Sequence, residues 1–153
     1  MTPAYRLNQF SPDAFQGTPQ PPPQQLGYED RPFDYVYNPP TGALSASQIL
    51  SGQTVQIQTD SDFELRAWYI ATATGLFQIR LGDATGYQFS SGYILSGAIS
   101  TDPSNPTVFS PQHPFPAGSR IMIDIQDLSA APNTIQIIFK GVKRFRMGQP
   151  AQS

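Results

Sequence analysis

The run Ile121-Met122-Ile123-Asp124-Ile125-Gln126 and the run Ile135-Gln136-Ile137-Ile138-Phe139-Lys140 decide the fold. In the first, isoleucine occupies every second position and Met122, Asp124 and Gln126 fill the others. In the second, Ile135, Ile137 and Phe139 share a phase, with Gln136 and Lys140 in the other, and Val142 to Phe145 extends it. Successive side chains of a strand point to opposite faces, so this period marks antiparallel strands with one buried face. The same pattern recurs upstream. Val55 and Ile57 alternate with Gln56 and Gln58. Phe63, Leu65, Ala67 and Tyr69 alternate with Glu64, Arg66 and Trp68. Phe77, Ile79 and Leu81 alternate with Gln78 and Arg80. A short first strand is expected at Phe33–Tyr37, ended by Asn38-Pro39-Pro40. Tyr87–Phe89 and Tyr93–Leu95 are weaker strands, and Ala43–Leu50 could form a brief helical turn.

Turn residues separate these runs at Ser51-Gly52, Gly82-Asp83, Thr85-Gly86, Ser91-Gly92, Asp102-Pro103, Pro116-Ala117-Gly118 and Pro132-Asn133. Gly, Pro, Asn and Asp supply the dihedrals that reverse a chain. About eight short strands at this spacing predict an all-β antiparallel β-sandwich of jelly-roll or Greek-key type.

Upstream of residue 32 the character changes. Gln16-Gly-Thr-Pro-Gln-Pro-Pro-Pro-Gln-Gln25 is dominated by Pro and Gln. Pro21, Pro22 and Pro23 lack amide donors and fix φ, which favours an extended polyproline path. The expected organisation is a leader over residues 1–31, a sandwich over 32–146 and a tail over 147–153. Alone, the leader has the composition of a disordered tail. Ordering about thirty residues costs roughly 1–2 kcal/mol each in backbone entropy. Neighbouring molecules are the natural source of contacts to offset that, through the anchors Tyr5, Leu7, Phe10, Phe15, Leu26 and Tyr28.

The composition narrows the function classes. Only 13% of the 153 residues are charged, against the usual quarter or so. A surface covered by Gln, Ser, Thr, Asn, Gly and Pro suits a protein packed against others. The net charge of -2 supplies no global field for nucleic acid or an anionic membrane. No apolar run is long enough to span a bilayer, and the start lacks the pattern of a secretory signal.

Chemical motifs are sparse. The chain has no cysteine and one histidine, so thiolate and multi-histidine metal sites have no ligands. His113 lies in a proline-rich stretch read as an exposed loop, and no Gly-x-Ser-x-Gly or phosphate-cradling motif occurs. Asp60-Ser61-Asp62 could offer oxygen ligands to calcium, although such turns more often cap strands. Asp124, on the polar face of its strand, is suited to surface or interface pairing. No catalytic residue, metal or cofactor is expected. Lys140, Lys143, Arg144 and Arg146 place four of the nine basic residues within seven positions. They could dock on an acidic protein surface, or form a solvated strand end; nucleic acid is disfavoured by the lack of stacking platforms. Of the neighbours Trp68 and Tyr69, one should be core. The other could serve an interface or a sugar platform.

The order of Ser-Gly-Gln followed by an alternating strand, Thr59-Asp-Ser-Asp-Phe-Glu-Leu-Arg66, Phe77-Gln-Ile-Arg-Leu-Gly-Asp83, Pro116-Ala-Gly-Ser-Arg-Ile-Met-Ile-Asp-Ile-Gln-Asp127 and Asn133-Thr-Ile-Gln-Ile-Ile-Phe-Lys-Gly-Val-Lys-Arg-Phe145 resembles small structural proteins of tailed bacteriophage virions. The resemblance covers about two-thirds of the chain and brings no catalytic residue. It implies a β-sandwich virion subunit present in many copies, self-associating or seated on major capsid or neck proteins. Capsid decoration (cement) and head–tail neck or collar proteins both fit. In such particles extended arms lie across neighbours, and multivalency would turn modest contacts into firm attachment. The rival class is a soluble carbohydrate-binding β-sandwich module.

Overall fold

The alternating runs pair first with last. A computed structural model describes residues 27–147. The strands are β1 (Tyr28–Tyr37), β2 (Ala43–Leu44), β3 (Ile49–Gln56), β4 (Asp62–Ala73), β5 (Phe77–Asp83), β6 (Ile94–Leu95), β7 (Thr107–Phe115), β8 (Arg120–Asp127) and β9 (Asn133–Arg146). β1 pairs with β9, β3 with β8, β4 with β7, and β5 with β6, all antiparallel. The pairing is nested, like one long hairpin with its tip between β5 and β6. Rolling that hairpin adds the contacts β4·β9 and β5·β8 and closes two sheets, ordered β1-β9-β4-β7 and β3-β8-β5-β6. This is the jelly-roll form of the antiparallel β-sandwich.

The core is what the alternation demands. Ile121, Ile123 and Ile125 of β8 face Ile135, Ile137 and Phe139 of β9 across the sandwich, with Phe77, Ile79 and Leu81 of β5. Val55 and Ile57 close one side, and Gln56 and Gln58 face outward. Burying such side chains contributes roughly 1.5–3 kcal/mol each.

The central strand β4 departs from simple alternation. Leu65 pairs with Gly141 and Ala67 with Lys140, so two steps on β4 match one on β9. Arg66 is the extra residue of a β-bulge. Before it, Phe63 and Leu65 point into the core; after it, Trp68 and Ile70 do, while Tyr69 turns to the half-exposed outer face. The uninterrupted alternation that grouped Trp68 with Glu64 and Arg66 is therefore corrected. Opposite the bulge the two backbones approach so closely that a Cβ on Gly141 would lie 2.0 Å from the Glu64 carbonyl oxygen and 2.7 Å from Phe63 Cζ. Only glycine fits there.

Three further differences have physical causes. β1 begins at Tyr28, because Tyr28–Arg31 pair through their main chain with Lys143–Arg146. Their side chains are exposed on both faces, so no apolar period announces the strand. β7 runs through the proline-rich segment containing Pro111 and Pro114. It lies at a sheet edge, where a missing amide donor is tolerated. Ala43–Leu50 forms no helical turn: Leu44 is fully buried and pairs in β2 with Asn133, and β3 has begun by Ile49. Of the two weaker strands, Ile94–Leu95 forms β6, and Tyr87–Phe89 contributes one isolated bridge, Gly82 to Gln88.

Gly141→Ala should lower the melting temperature severely or prevent folding. Gly97→Ala should be close to neutral, since nothing lies within 4 Å of an added Cβ there. Thermal denaturation of the two variants beside the parent checks this.

Candidate interaction surface

The basic cluster of β9 is placed by the alternation of that strand. Odd positions point toward the core, so Lys143 ends up at the core rim, with its side chain only 7% exposed. Its ammonium donates to Asp60 Oδ2 at 2.9 Å and to the Gln58 side-chain oxygen, and lies 4.2 Å from the Phe33 ring centre. Even positions point outward. Lys140 pairs with Asp34 at 3.2 Å. Arg144 donates in two-pronged fashion to Asp30 at 2.9 and 3.0 Å and approaches Glu64 at 3.6 Å, and Arg66 joins the same group. The Arg144 guanidinium holds the Asp30 carboxyl below its ordinary range. Three of the four basic residues thus pair with carboxylates of the same chain, while Arg146 is exposed at the strand end. Tyr28 is exposed in β1, with the Arg144 guanidinium 5.8 Å from its ring. Tyr5, Leu7, Phe10, Phe15 and Leu26 lie outside the described residues.

The carboxylates with a chemical reading are occupied in the same way. Asp124 accepts from Arg80 Nη2 and from the Gly52 amide, both at 2.8 Å. Asp60 serves Lys143, and Asp62 accepts from the Ala117 amide at 2.9 Å. Among the described residues no group of three His, Cys, Asp or Glu side chains could hold a metal ion. Asp127 is buried and fully subscribed: Asn133 Nδ2, the Ser47 amide and Ser129 Oγ all donate to it. Asn133 Oδ1 in turn accepts from the Thr74 and Gly75 amides. Two polar side chains thereby fasten three connections at one end of the sandwich. Burial pushes the Asp127 carboxyl up, but these donors outweigh it and hold the pKa below the usual value. For Asp60, Asp83 and Asp124 burial likewise opposes the local donors, and the donors win.

His113 is not in an exposed loop. It sits in β7, half-buried, with Nε2 3.2 Å from Asp83 Oδ2. It stacks on Tyr87 and packs against Phe89 and Phe115, so it links a sheet edge to the β5–β6 connection. Asp83 Oδ1 accepts from the Thr85 and Tyr87 amides. The Thr85 hydroxyl donates to Asp83 Oδ1 as well, so the pair has the geometry of a structural tie. Trp68 is in the core, stacked on Phe139 at 6.1 Å and near Phe109 at 5.6 Å. It cannot be a sugar platform.

One open feature among the described residues is the side of the sandwich where edge strands β1 and β3 face each other. Tyr35, Val36, Tyr37, Asn38 and Pro40 line one wall of a groove of about 550 Å³, and Gln53–Gln56 with Gln58 line the other. Tyr35 partly bridges it, its hydroxyl accepting from the Gln58 amide at 2.9 Å. The Tyr37 hydroxyl is buried with no hydrogen-bond partner among the described residues. Burial alone pushes its pKa up to about 12. Alternation assigns Val55 and Ile57 to the core and Gln56 and Gln58 to the surface, but no local pattern places β1 opposite β3.

No family model, curated protein or solved structure matches the chain.

Two outcomes follow from the charges. Asp60→Asn strands the buried Lys143 ammonium, whereas Lys143→Met leaves a carboxylate that still reaches water. Urea denaturation should show Asp60→Asn as the more destabilising, by about 1–3 kcal/mol, below the range of a fully buried pair. The lowered carboxyls contribute stability that is present above their unfolded pKa of about 4 and lost as the pH falls through their folded values. Stability should therefore drop below about pH 4, and Asp127→Asn should flatten that acid limb in a melting-temperature series.

Proposed function

We propose that the chain is a non-enzymatic structural subunit of a tailed-bacteriophage virion, in which the jelly-roll body docks on a larger shell and the Pro/Gln leader ties it to its neighbours. Capsid decoration is the favoured place, with the head–tail neck or collar as the alternative. The observation that carries this reading is where the leader joins the body. Residue 27 runs directly into β1, an edge strand, so the leader departs from an open rim of the sheet. The low charge and the internal pairing of the basic cluster also favour attachment through main chain, amide and apolar groups over a charged ligand site. Jelly rolls serve as capsid and lectin domains alike, and fold by itself selects neither. Of the two aromatic side chains read as a core residue and a sugar platform, Trp68 is core and Tyr69 is half-exposed on the outer face, so a row of exposed aromatics is not supplied by this pair.

Removal of the leader has to stop at residue 26, because residues 28–31 are part of β1. The full chain should sediment as a multimer, and the 27–153 variant as a folded monomer with an unchanged sheet spectrum. Particles purified from a lysate of the phage encoding the chain should contain it. A monomeric full chain absent from those particles, or glycan-array binding by it, would overturn the proposal.

A further inference from the structure

We infer that the groove between β1 and β3 receives an added strand, and that this strand is residues 4–10 of the leader of a second copy. The inference rests on the proposal that the leader ties subunits together, and it names where.

Apart from the Tyr35 hydroxyl that accepts from the Gln58 amide, the groove is an unprotected pair of sheet edges. An edge strand carries a row of unpaired amides and carbonyls, and proteins blunt such rows with charge or proline. Over its first half β1 is blunted by Glu29, Asp30, Arg31, Pro32 and Asp34. Over Tyr35-Val36-Tyr37 it is not, and Val36 is 46% exposed. The facing segment Gln53-Thr-Val-Gln-Ile-Gln58 is also without charge or proline. The bare stretches of the two strands therefore coincide across one groove. Tyr37, whose buried hydroxyl has no partner among the described residues, is one of the residues lining it. Main-chain pairing there would give affinity, and alternate side chains would give register.

The leader contains one segment suited to pairing. Residues 4–11 are its longest stretch without proline, and Tyr5 and Leu7 alternate there with Arg6 and Asn8. The part nearest the body cannot pair. A leader turning back along its own β1 would lay Pro19, Pro21, Pro22 and Pro23 against that edge, and these have no amide to donate. Laid out at about 3.1 Å per residue, residues 11–26 span roughly 50 Å. A body of this length is roughly 35 Å across. A leader extended in this way would carry Tyr5 and Leu7 past its own body and within reach of a neighbour's groove.

The chain has no cysteine, so engineered thiols report contacts cleanly. Leu7→Cys and Thr54→Cys are made as separate full-length variants, mixed and oxidised. A covalent heterodimer is expected on a non-reducing gel. Hydrogen exchange at residues 35–37 and 53–56 should also be roughly tenfold or more slower in the parent full chain than in the 27–153 variant. Equal exchange in the two overturns the inference. So does a Leu7→Cys/Thr54→Cys double variant that closes only within one chain, which would seat the leader on its own body. If the full chain remains multimeric while exchange in the groove is unchanged, the docking site is wrong and the assembly role stands. If the full chain is monomeric, both fail.

Discussion

The close approach of Gly141 to the Glu64 carbonyl is the constraint on which the rest of the sheet depends. β4 and β9 are the central strands of the larger sheet, and each is paired on both sides. Their contact at Leu65–Gly141 is where the Arg66 bulge changes the phase of β4. Without that change, Trp68 and Ile70 would face outward and Tyr69 inward. With it, Phe63 and Leu65 fill one part of the core, and Trp68 and Ile70 fill the next. A one-residue shift in strand phase moves every later side chain to the other face, so this glycine sets the identity of half the core residues that β4 supplies.

Around that core, ionisable groups are used for fastening. Lys143 and Asp60 close the rim beneath Phe33, and Arg144 gathers Asp30 and Glu64 on the outer face. His113 and Asp83 join β7 to the β5–β6 connection, and Asp127 with Asn133 holds three loops together. A chain with few charges has committed most of the described ones to its own tertiary contacts. What it leaves to the outside are uncharged edges, amide side chains and scattered apolar residues. That inventory suits a protein whose partners are other folded surfaces.

The nested order of pairing gives the molecule two open sides, each formed by one edge strand from each sheet. One has β7 and β6, where proline interrupts the ladder. The other has β1 and β3, where the leader enters the fold. The body and the leader are thus joined at the rim where added main chain could most readily pair. This juxtaposition is a property of the rolled topology, and it would be absent from a sandwich in which β1 lay at the sheet centre.

The alternating runs of β5, β8 and β9 were legible because one face of each is buried along nearly its whole length, so local pattern and tertiary environment agree. The antiparallel sandwich, the turns between its strands and the inward isoleucines all followed from residue order alone. Elsewhere only the tertiary structure decided. Tyr28–Arg31 form a strand because β9 offers a backbone to pair with, and an edge strand exposed on both faces leaves no period to read. Trp68 is core because Gly141, which reaches β4 only through tertiary pairing, lets that strand bulge at Arg66. Lys143 belongs to the rim because Asp60 and Gln58 arrive there from another connection. The groove exists because β1 and β3, from different sheets, end up side by side. Residue order specifies which face of a strand is apolar; which strands become neighbours, and so which polar groups find partners, is fixed only when the sheets close.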